Sequence, residues 1–360
     1  MRSGRLISRC LVVCFIMAAA APSATAGVRV KESPAPKGGM VPVATGPHAL
    51  CFKEYQLHEG PGPHYIAAGP DGALWFTEFY DNNVVRITTA GDITEFPIPT
   101  PNSFPGSLTA GPDQAMWFTE TNVSANQIGR ITTAGDFTEF PIPTPNSAPA
   151  GIAAGPDGAL WFTEANVNQI GRITTAGDFI EFPIPPPNGL PTTIAAGPDG
   201  ALWFTEVNGD EIGRITIAGE VTEFPTPTPG SDPYWIAAGP DGAMWFTEGN
   251  ANQIGRIKTT GEITEFPIPT ANSAPRAIVA EPSTNLPTGL WFTESQVNQI
   301  GRITTTGDIT EFLIPTPNSG PSGLTAGPLN AAPRAMWFTE RDASKIGAFR
   351  SAVPGRPVCP

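Results

Sequence analysis

Residues that could do chemistry recur at one point of a repeating sequence, directly after a proline that opens each repeat. The residues at this point are His64, Gly106, Ala150, Thr192, Tyr234, Arg276 and Ser322. His64 is the one histidine in this set. An imidazole with its ordinary pKa near neutrality is suited to remove a proton as a general base. If the protein is an enzyme, we therefore predict His64 as its catalytic residue.

Carboxylates close to this point in the repeat are candidate metal ligands. Asp232 stands directly before the proline of its repeat and Glu248 follows later in that repeat, while Glu78 follows His64 by 14 residues. Carboxylate oxygens are hard donors that suit Mg²⁺ or Ca²⁺, with waters completing the coordination shell. The sequence predicts weak binding of Mg²⁺ or Ca²⁺ by Asp232 and Glu248, with Mg²⁺ as the expected cofactor. The alternative ligand of the metal is Glu78, beside His64.

Large aromatic and cationic side chains stand at the same point of three repeats. They are Tyr65, Tyr234, Trp235 and Arg276. We predict that these side chains form a face that binds a small molecule or a peptide. The alternative is that Tyr65 and Trp235 only fill space at the centre of the fold and that His64 is an exposed loop residue.

The elements that position these residues follow from an internal repeat. The four residues Trp-Phe-Thr-Glu occur seven times, at intervals of 42 to 46 residues. A repeat of this length decides the architecture before any other feature does. The copies begin at Trp75, Trp117, Trp161, Trp203, Trp245, Trp291 and Trp337.

One full repeat, residues 152–187, divides into four short apolar segments separated by turns. Gly155-Pro156-Asp157-Gly158 suits a tight turn, because proline favours the second position of a type I turn and glycine tolerates a positive φ. The next segment, residues 159–164, is rich in aromatic and β-branched residues and is apolar on both faces, which is typical of a strand covered on both sides. The repeat therefore predicts an all-β, seven-bladed β-propeller with four antiparallel strands per blade.

The two ends of the repeat array indicate how the ring closes. The last repeat has a third-strand segment, residues 345–349, but no copy of the fourth strand follows it. Residues 52–57 copy the pattern of residues 93–98, which form the fourth strand of the first repeat. We predict that the N-terminal strand completes the seventh blade. The variable residues then lie where the innermost strands begin, at one mouth of the central channel.

The glutamate that ends each motif, from Glu78 to Glu340, occurs in every repeat, so we first expect a structural role. The predicted partner is the arginine of the third strand, such as Arg172. The functional alternative is a ring of carboxylates that holds a cation near one mouth of the channel.

Both termini carry signals outside the repeat. Residues 1–26 combine three arginines, a short apolar run at 11–21 and the small residues of a cleavage site, which predicts a signal peptide. We expect a secreted protein, extracellular or periplasmic. Residues 27–49 are rich in proline and glycine and predict a flexible linker, which leaves residues 50–360 for the propeller.

Removal of the signal peptide would leave Cys51 and Cys359 as the cysteines of the mature chain. In an oxidising compartment this pair predicts a disulfide that joins the two ends of the propeller. The alternatives are two free thiols or part of a zinc site, although clustered additional ligands are absent from the sequence around them.

The formal net charge of the whole chain is −13. An acidic surface disfavours nucleic acid and anionic membranes as partners. We therefore expect a small-molecule or peptide ligand as the partner. We also expect the protein to be a monomer.

The repeated motifs resemble those of the virginiamycin B lyases, also called streptogramin lyases. The matching stretches are Gly-Pro-Asp-Gly, Leu-Trp-Phe-Thr-Glu, Ile-Gly-Arg-Ile-Thr and Gly-Asp-Ile-Thr-Glu-Phe-Pro-Ile-Pro-Thr-Pro, and they cover nearly all of residues 50–350. The resemblance implies a seven-bladed propeller that opens a cyclic depsipeptide by elimination at an ester bond. It also implies a magnesium ion and a histidine general base in the last two blades.

Carried over by position, the two histidines implied by the resemblance fall on Arg276 and Ser322, and the two acidic positions fall on Gly320 and Glu340. Neither arginine nor an unactivated serine can remove a proton near neutral pH. Two hypotheses follow. The first is a lyase with a rearranged site, in which His64 is the base and Glu78, or Asp232 with Glu248, holds the metal. The second is a non-catalytic propeller that binds a peptide, a glycan or a small cyclic ligand.

Overall fold

The computed structural model describes residues 32–33, 41–43, 50–58, 62–282, 289–328 and 335–351. Three strands precede the first blade: β1 (Glu32–Ser33), β2 (Val41–Val43) and β3 (Leu50–Gln56). Within the described residues, no helix is long and apolar enough to cross a bilayer. The predicted signal peptide, residues 1–26, lies outside the described residues, as does Cys359.

The remaining strands form seven antiparallel sheets, each a blade with its first strand innermost. Blades one to three contain β4 (Pro63–Ala68), β5 (Leu74–Glu78), β6 (Asn83–Ile87), β7 (Ile93–Pro97), β8 (Pro105–Ala110), β9 (Ala115–Glu120), β10 (Gln127–Thr132), β11 (Phe137–Pro141), β12 (Pro149–Ala154), β13 (Leu160–Glu164), β14 (Gln169–Ile173) and β15 (Phe179–Pro183). Blades four and five contain β16 (Pro191–Ala196), β17 (Leu202–Glu206), β18 (Glu211–Ile215), β19 (Val221–Pro225), β20 (Pro233–Ala238), β21 (Met244–Glu248), β22 (Gln253–Ile257) and β23 (Ile263–Pro267). Blades six and seven contain β24 (Pro275–Ala280), β25 (Gly289–Glu294), β26 (Gln299–Thr304), β27 (Ile309–Leu313), β28 (Pro321–Ala326), β29 (Met336–Glu340), a 3₁₀ turn (Arg341–Ala343) and β30 (Lys345–Ser351).

The blades close into a ring, and the N-terminal strand closes it as predicted. The first strand of each blade contacts the first strands of its two neighbours, and β28 of blade seven contacts β4 of blade one. β3 pairs antiparallel with β30, which places Phe52 opposite Phe349. The prediction of a seven-bladed, all-β propeller is therefore confirmed.

Two short strands lie within the stretch that the sequence predicts as a linker. β1 pairs with β7 at the outer edge of blade one, and β2 pairs with β3 at the outer edge of blade seven. An outer strand presents unpaired backbone groups that readily accept another strand. This edge pairing orders short pieces of a segment that has little apolar content of its own.

The motif tryptophan holds adjacent blades together, as blade three shows. Trp161 is fully buried and packs against Ile194 and Leu202 of blade four. Its ring stacks on Phe182 with a centroid distance of 5.5 Å, and Nε1 donates a hydrogen bond of 3.0 Å to Asp157 Oδ1. The polar atom of a buried indole is thereby satisfied, so that its large apolar surface can be buried without an unpaired donor.

The next two motif residues also have structural partners. The ring of Phe162 lies over Gly171 of the third strand, where a Cβ would come within 2.0 Å of the ring. Thr163 Oγ1 accepts a hydrogen bond from the Gly151 N–H and donates one of 2.8 Å to the carbonyl of Thr192 in blade four. The repeat therefore encodes contacts both within a blade and between neighbouring blades.

The prediction that the third-strand arginine pairs with the motif glutamate is wrong. Arg172 Nε donates to Asp157 Oδ2 at 2.7 Å, and its guanidinium carbon lies 5.9 Å from the centre of the Trp161 ring. In the strand register Arg172 faces Trp161, whereas Glu164 faces Gln169 three residues further along. At about 3.3 Å per residue, the backbone positions of Glu164 and Trp161 are roughly 10 Å apart along the strand, and an odd separation puts their side chains on opposite faces. The equivalent pairs are Arg86–Asp71, Arg130–Asp113, Arg214–Asp199, Arg256–Asp241 and, with a glutamate, Arg302–Glu281.

Candidate functional site

The variable residues sit on a β-bulge at the start of each innermost strand. The register with the second strand shifts between Pro63 and Ile66 in blade one and between Pro233 and Ile236 in blade five, and the other blades repeat the shift. A bulge redirects side chains and is common beside functional sites. The residues inside the bulge are the ones in which the repeats differ.

Five of the predicted site residues form one group, the channel-mouth cluster: His64, Tyr65, Tyr234, Trp235 and Arg276. Tyr65 of blade one stacks on Trp235 of blade five with ring centroids 5.1 Å apart. These blades are not neighbours in the ring, so the pair meets across the channel. Arg276 of blade six places its guanidinium carbon 5.4 Å from the centre of the Tyr234 ring, within the range of a cation–π interaction.

A cavity of about 320 Å³ adjoins this cluster. The innermost strands of blades two to five line it with small and apolar side chains, including Ser107, Ile152 and Thr193, and Trp235 also contributes. Tyr65 is buried and its ring stacks on Trp235. Trp235 also borders the cavity, so ligand binding and space filling both stay predictions for this pair.

His64 is held in a cationic and aromatic environment. Its ring lies 4.9 Å from Tyr65 and 5.9 Å from Phe79, and its enclosed Nδ1 has no hydrogen-bond partner among the described residues. Burial, and then the charges of Arg276 and Arg341, lower the pKa of His64 to about 3. The imidazole is therefore neutral and weakly basic at neutral pH, which differs from the ordinary pKa that its predicted role as a base assumes.

Burial and neighbouring charges also shift the pKa values of other ionisable side chains in and beside the channel-mouth cluster. Burial, followed by the neighbouring Tyr234, raises the pKa of Tyr65 well above 10. Burial and Asp210 raise the pKa of Asp232, while the charge of Arg276 acts in the opposite direction. Arg276 is thus the central positive charge of the cluster, with an effect on His64, Tyr65 and Asp232.

The motif glutamates form a buried ring of carboxyl groups. Glu120, Glu164, Glu206, Glu248, Glu294 and Glu340 are fully buried, and none of their carboxylate oxygens has a hydrogen-bond partner among the described residues. Burial, and then the fourth-strand glutamate of the same blade, raises the pKa of Glu164 to about 8. Ser147 lies beside it but donates its proton to Asn126 Oδ1 at 2.9 Å. Burial raises the pKa of the other five to about 8 as well, so without a bound cation these carboxyl groups are largely protonated at neutral pH.

Glu78 differs from this ring. It accepts a hydrogen bond of 3.0 Å from Asn83 Nδ2, and burial raises its pKa to about 7. A carboxyl group with this pKa can exchange a proton near neutral pH.

The two predicted metal ligands of blade five have different electrostatic neighbours. The neighbouring acidic charges that raise the pKa of Glu248 are those of Glu265 and Asp210, whereas Asp232 is influenced by Asp210 and Arg276. Metal binding at Asp232 and Glu248 stays a prediction. In the described part of the chain, three carboxylates converge instead in blade four, at Glu206, Glu211 and Glu223.

Sequence reasoning missed two residues of the mouth, Phe79 and Arg341. Both directly follow a motif glutamate, where the other repeats have Thr121, Ala165, Val207, Gly249 and Ser295. A comparison of the repeats at this position would have found them, because they are the largest side chains there.

The chain matches the model of the virginiamycin B lyase family twice, over residues 48–195 and residues 181–353. The chain belongs to the virginiamycin B lyase family. Among solved structures it is similar to selenomethionine-substituted virginiamycin B lyase from Staphylococcus aureus, with 43% identity and a TM-score of 0.77 over 84% of this chain and 100% of that one.

A second structure of the Staphylococcus aureus lyase and one further member of the family are also similar to this chain. A catalytically inactive variant of virginiamycin B lyase from Staphylococcus aureus with quinupristin is 41% identical, with a TM-score of 0.77 over 84% of this chain and 100% of that one. A virginiamycin B lyase from Mycolicibacterium smegmatis is 41% identical over 37 residues, which is 10% of this chain and 13% of that relative. The alignment thus covers a small part of this last relative, 13%, and the whole of the crystallised Staphylococcus aureus lyase.

The virginiamycin B lyase resemblance assigns the catalytic positions to Arg276, Ser322, Gly320 and Glu340. Ser322 is buried, and its carbonyl accepts a hydrogen bond from Thr293 Oγ1 at 2.8 Å. A Cβ at Gly320 would come within 2.3 Å of Asp342 Oδ2, so the Asp342 carboxylate occupies the space of a side chain there. Arg341 Nε in turn pairs with Asp342 Oδ1 at 3.0 Å.

Proposed function

We propose that this protein is a secreted, non-catalytic member of the virginiamycin B lyase family that binds a small cyclic or peptide ligand at the channel mouth. The observation that carries the proposal is the position of Arg276. This guanidinium stands where the resemblance requires a histidine, lies over the Tyr234 ring at 5.4 Å and contributes to the low pKa of His64. A base for elimination is therefore missing from the position at which the family resemblance expects it.

The donors in blades six and seven do not fit the magnesium ion that the resemblance implies. The carboxyl group retained there, Glu340, is buried and its pKa is raised to about 8. Asp342 is paired with the Arg341 guanidinium. What separates this place from an ordinary carboxylate site is its positive charge, because the guanidinium groups of Arg276 and Arg341 act on the same pocket and would repel a divalent cation.

The channel-mouth cluster is suited to hold a ligand without reacting with it. Tyr234 and Trp235 offer half-buried aromatic faces, and such faces add specific ring contacts to the burial of apolar area. Arg276 can donate charge-assisted hydrogen bonds to a carbonyl or carboxylate oxygen. A cyclic peptide or depsipeptide with aromatic groups combines both features, and the adjacent cavity of about 320 Å³ could receive one of its side chains.

Glu78 supports a second candidate function, a lyase that acts on a different ester. Burial raises its pKa to about 7, so it could accept a proton near neutral pH where His64 cannot. In this alternative Glu78 is the general base and Arg276 stabilises negative charge that develops on the substrate.

Secretion, the disulfide and the monomeric state are further parts of the proposal. Residues 1–26 have the composition of a signal peptide, and an oxidising compartment would allow Cys51 to pair with Cys359. Reduction would then lower the melting temperature. Alkylation of two cysteines in the unreduced, unfolded mature protein would contradict the disulfide.

Quinupristin provides the direct test, because it accompanies the similar crystallised lyase. We expect calorimetric titration to detect binding to the mature protein and mass spectrometry to find the ligand intact after incubation with Mg²⁺. Arg276→Ala and Tyr234→Ala should each weaken binding about 10-fold or more, on the scale of one to two kcal/mol for a stacked or charged contact. Lys258→Ala, an exposed cation in a turn, is the matched control and should bind as the wild type does.

The alternative outcomes are distinct. Ring opening that Glu78→Gln abolishes would favour the lyase. Two results would contradict ligand binding at the channel-mouth cluster. One is that quinupristin does not bind at all, and the other is that Arg276→Ala and Lys258→Ala bind it with equal affinity.

A further inference from the structure

Three glutamates of blade four bring their carboxylates together on adjacent strands. Glu206 on β17, Glu211 on β18 and Glu223 on β19 each offer an oxygen atom within 4.8 Å of the other two. Glu206 is 0% exposed and neither of its oxygens has a hydrogen-bond partner among the described residues. Three like charges at this separation repel one another unless a proton or a cation compensates them.

Glu223 lacks the hydrogen-bond donor that its counterparts have in other blades. In blade five, the N–H and Oγ1 of Thr228 donate to both oxygens of Glu265, at 3.0 and 2.7 Å. The position equivalent to Thr228 before blade four is Pro186, which has neither an N–H nor a hydroxyl group. A threonine donates to the equivalent glutamate in the pairs Thr100–Glu139, Thr144–Glu181, Thr270–Glu311 and Thr316–Glu54.

Glu211 replaces a neutral or positive residue. The third strands of the other blades begin with Asn83, Gln127, Gln169, Gln253, Gln299 and Lys345. Asn83 donates to Glu78, and Lys345 Nζ donates to Glu54 Oε2 at 3.0 Å, so this position supplies donors to nearby carboxylates in those blades. In blade four it adds a third acidic group.

Gly189 supplies the space that the Glu206 carboxylate occupies. A Cβ at this position would come within 1.9 Å of Glu206 Oε2, closer than nonbonded atoms approach. The equivalent residues are Ser103, Ser147, Ser231, Ser273 and Ser319. Blade four thus differs from its neighbours in three ways. Pro186 removes hydrogen-bond donors, Glu211 adds an acidic group, and Gly189 leaves space for the Glu206 carboxylate.

We propose that Glu206, Glu211 and Glu223 bind a calcium ion in blade four. One oxygen of each carboxylate lies within 4.8 Å of the other two, close enough for a single cation to contact all three. Ca²⁺ accepts several carboxylate ligands in a flexible geometry, whereas Mg²⁺ demands a near-octahedral shell and is usually held by no more than about two carboxylates. A set of three carboxylates therefore favours Ca²⁺. Glu211 and Glu223 are half-buried, which leaves room for waters to complete its coordination.

The ion would join three strands of one blade at the end that carries the motif glutamate. Its ligands lie outside the channel-mouth cluster, so the site is structural and separate from the proposed ligand site. The folded state binds the ion and the unfolded chain does not present these ligands together, so Ca²⁺ stabilises the fold by mass action.

The test uses the metal-free mature protein, prepared with a chelator that is then removed. Calorimetric titration with CaCl₂ should show one ion bound per chain, and the melting temperature should rise with CaCl₂ concentration. Glu211→Gln restores the residue type of the neighbouring blades and should reduce the Ca²⁺ affinity at least 10-fold. Glu220→Gln, at an exposed turn of the same blade, is the matched control and should keep the wild-type affinity.

Several results would overturn the proposal. If a shared proton replaces the cation, the wild type will show no Ca²⁺ binding and Glu211→Gln will raise the melting temperature without any metal. Tighter binding of Mg²⁺ than of Ca²⁺ would contradict the choice of ion. Equal Ca²⁺ affinities in Glu211→Gln and Glu220→Gln would show that Glu211 is not a ligand of the ion. The metal-free melting temperature of each variant shows whether it is folded.

Discussion

The blade interiors and the channel mouth are built on the same repeat but differ in how their side chains meet. In the interiors one arrangement recurs, a tryptophan stacked on a fourth-strand phenylalanine, as in Trp161 with Phe182 and Trp203 with Phe224. At the mouth the side chains differ between blades, and Tyr65 meets Trp235 across the channel. Repeated contacts are the ones that hold the ring together. Residues that break the repeat can change a ligand site at a small cost in folding free energy.

The strongest test of this difference replaces the same residue type in both regions. Trp161→Ala should lower the free energy of unfolding by about 3–5 kcal/mol, because it empties a fully buried site between two blades. Trp235→Ala should cost clearly less, because that side chain is only half-buried. Urea unfolding of both variants measures the two losses. Equal losses would show that the mouth is as important to stability as the interior.

The buried glutamates predict a dependence of stability on pH. The folded pKa of Glu164 is about 8, above its ordinary value of 4.5, so the folded state binds a proton that the unfolded state releases between these values. Stability from this group is therefore fully present below about pH 4.5 and decreases as the pH rises towards 8. The slope approaches about 1.4 kcal/mol per pH unit for each such carboxyl group.

Glu164→Gln removes one of the carboxyl groups that cause this pH dependence, so stability should fall less steeply with rising pH in the variant than in the wild type. Melting temperatures from pH 5 to pH 8 compare the variant with the wild type. The exposed variant Glu220→Gln serves as the control for a change of net charge. A wild-type melting temperature that rises over this range would contradict the raised pKa.

A smaller effect is expected at the arginine that stacks on the motif tryptophan. Arg172→Met keeps an apolar stem beside Trp161 but removes the hydrogen bond to Asp157 Oδ2. We expect a loss of roughly 1–2 kcal/mol in the free energy of unfolding, because the pair is partly buried. Lys258→Met, which removes an exposed cation from its ion pair with Glu262, should change stability by less than about 0.5 kcal/mol. If both variants lose the same amount, the Arg172–Asp157 pair does not stabilise the blade.

Only a small loss of stability is expected at the mouth. Arg276→Ala removes a cation–π contact with Tyr234 and should cost no more than about 1 kcal/mol. It also removes the second largest cause of the low pKa of His64, so that this pKa should rise while burial keeps it below 6.5. NMR titration of the imidazole in both proteins measures the change. An unchanged pKa would show that Arg276 does not act on His64.

Much of the fold could be predicted because each structural rule is repeated in every blade. The apolar run that contains Trp161 predicted a doubly covered strand, and residues 52–57 predicted ring closure, since the pattern matched a missing fourth strand. The Arg172 partner could not be predicted in the same way. Pairing depends on which residues face each other across β13 and β14, and the sequence does not give this register directly.

The candidate sites were predicted only where one residue differs visibly from its equivalents. His64, Tyr234 and Arg276 stood out at the variable position, and the structure brings them into one cluster. The carboxylates of blade four were missed, although Glu211 replaces an amide. The environment of these carboxylates also depends on Pro186 and Gly189. The sequence does not show that these two residues lie close to the carboxylates, because the contact forms only in the folded blade.

The pairing of β3 with β30 also has a consequence for biosynthesis. Glu54 and Lys345, which form a hydrogen bond in the closed ring, are 291 positions apart in the chain. At translation rates of about 5–20 residues per second, the N-terminal strand is made roughly 15–60 s before its partner exists. Blades one to six can stack during this interval, but the ring cannot close. Closure must therefore wait for the synthesis of β30, and until then the edge of β3 that β30 covers lacks its partner strand and can pair with another chain.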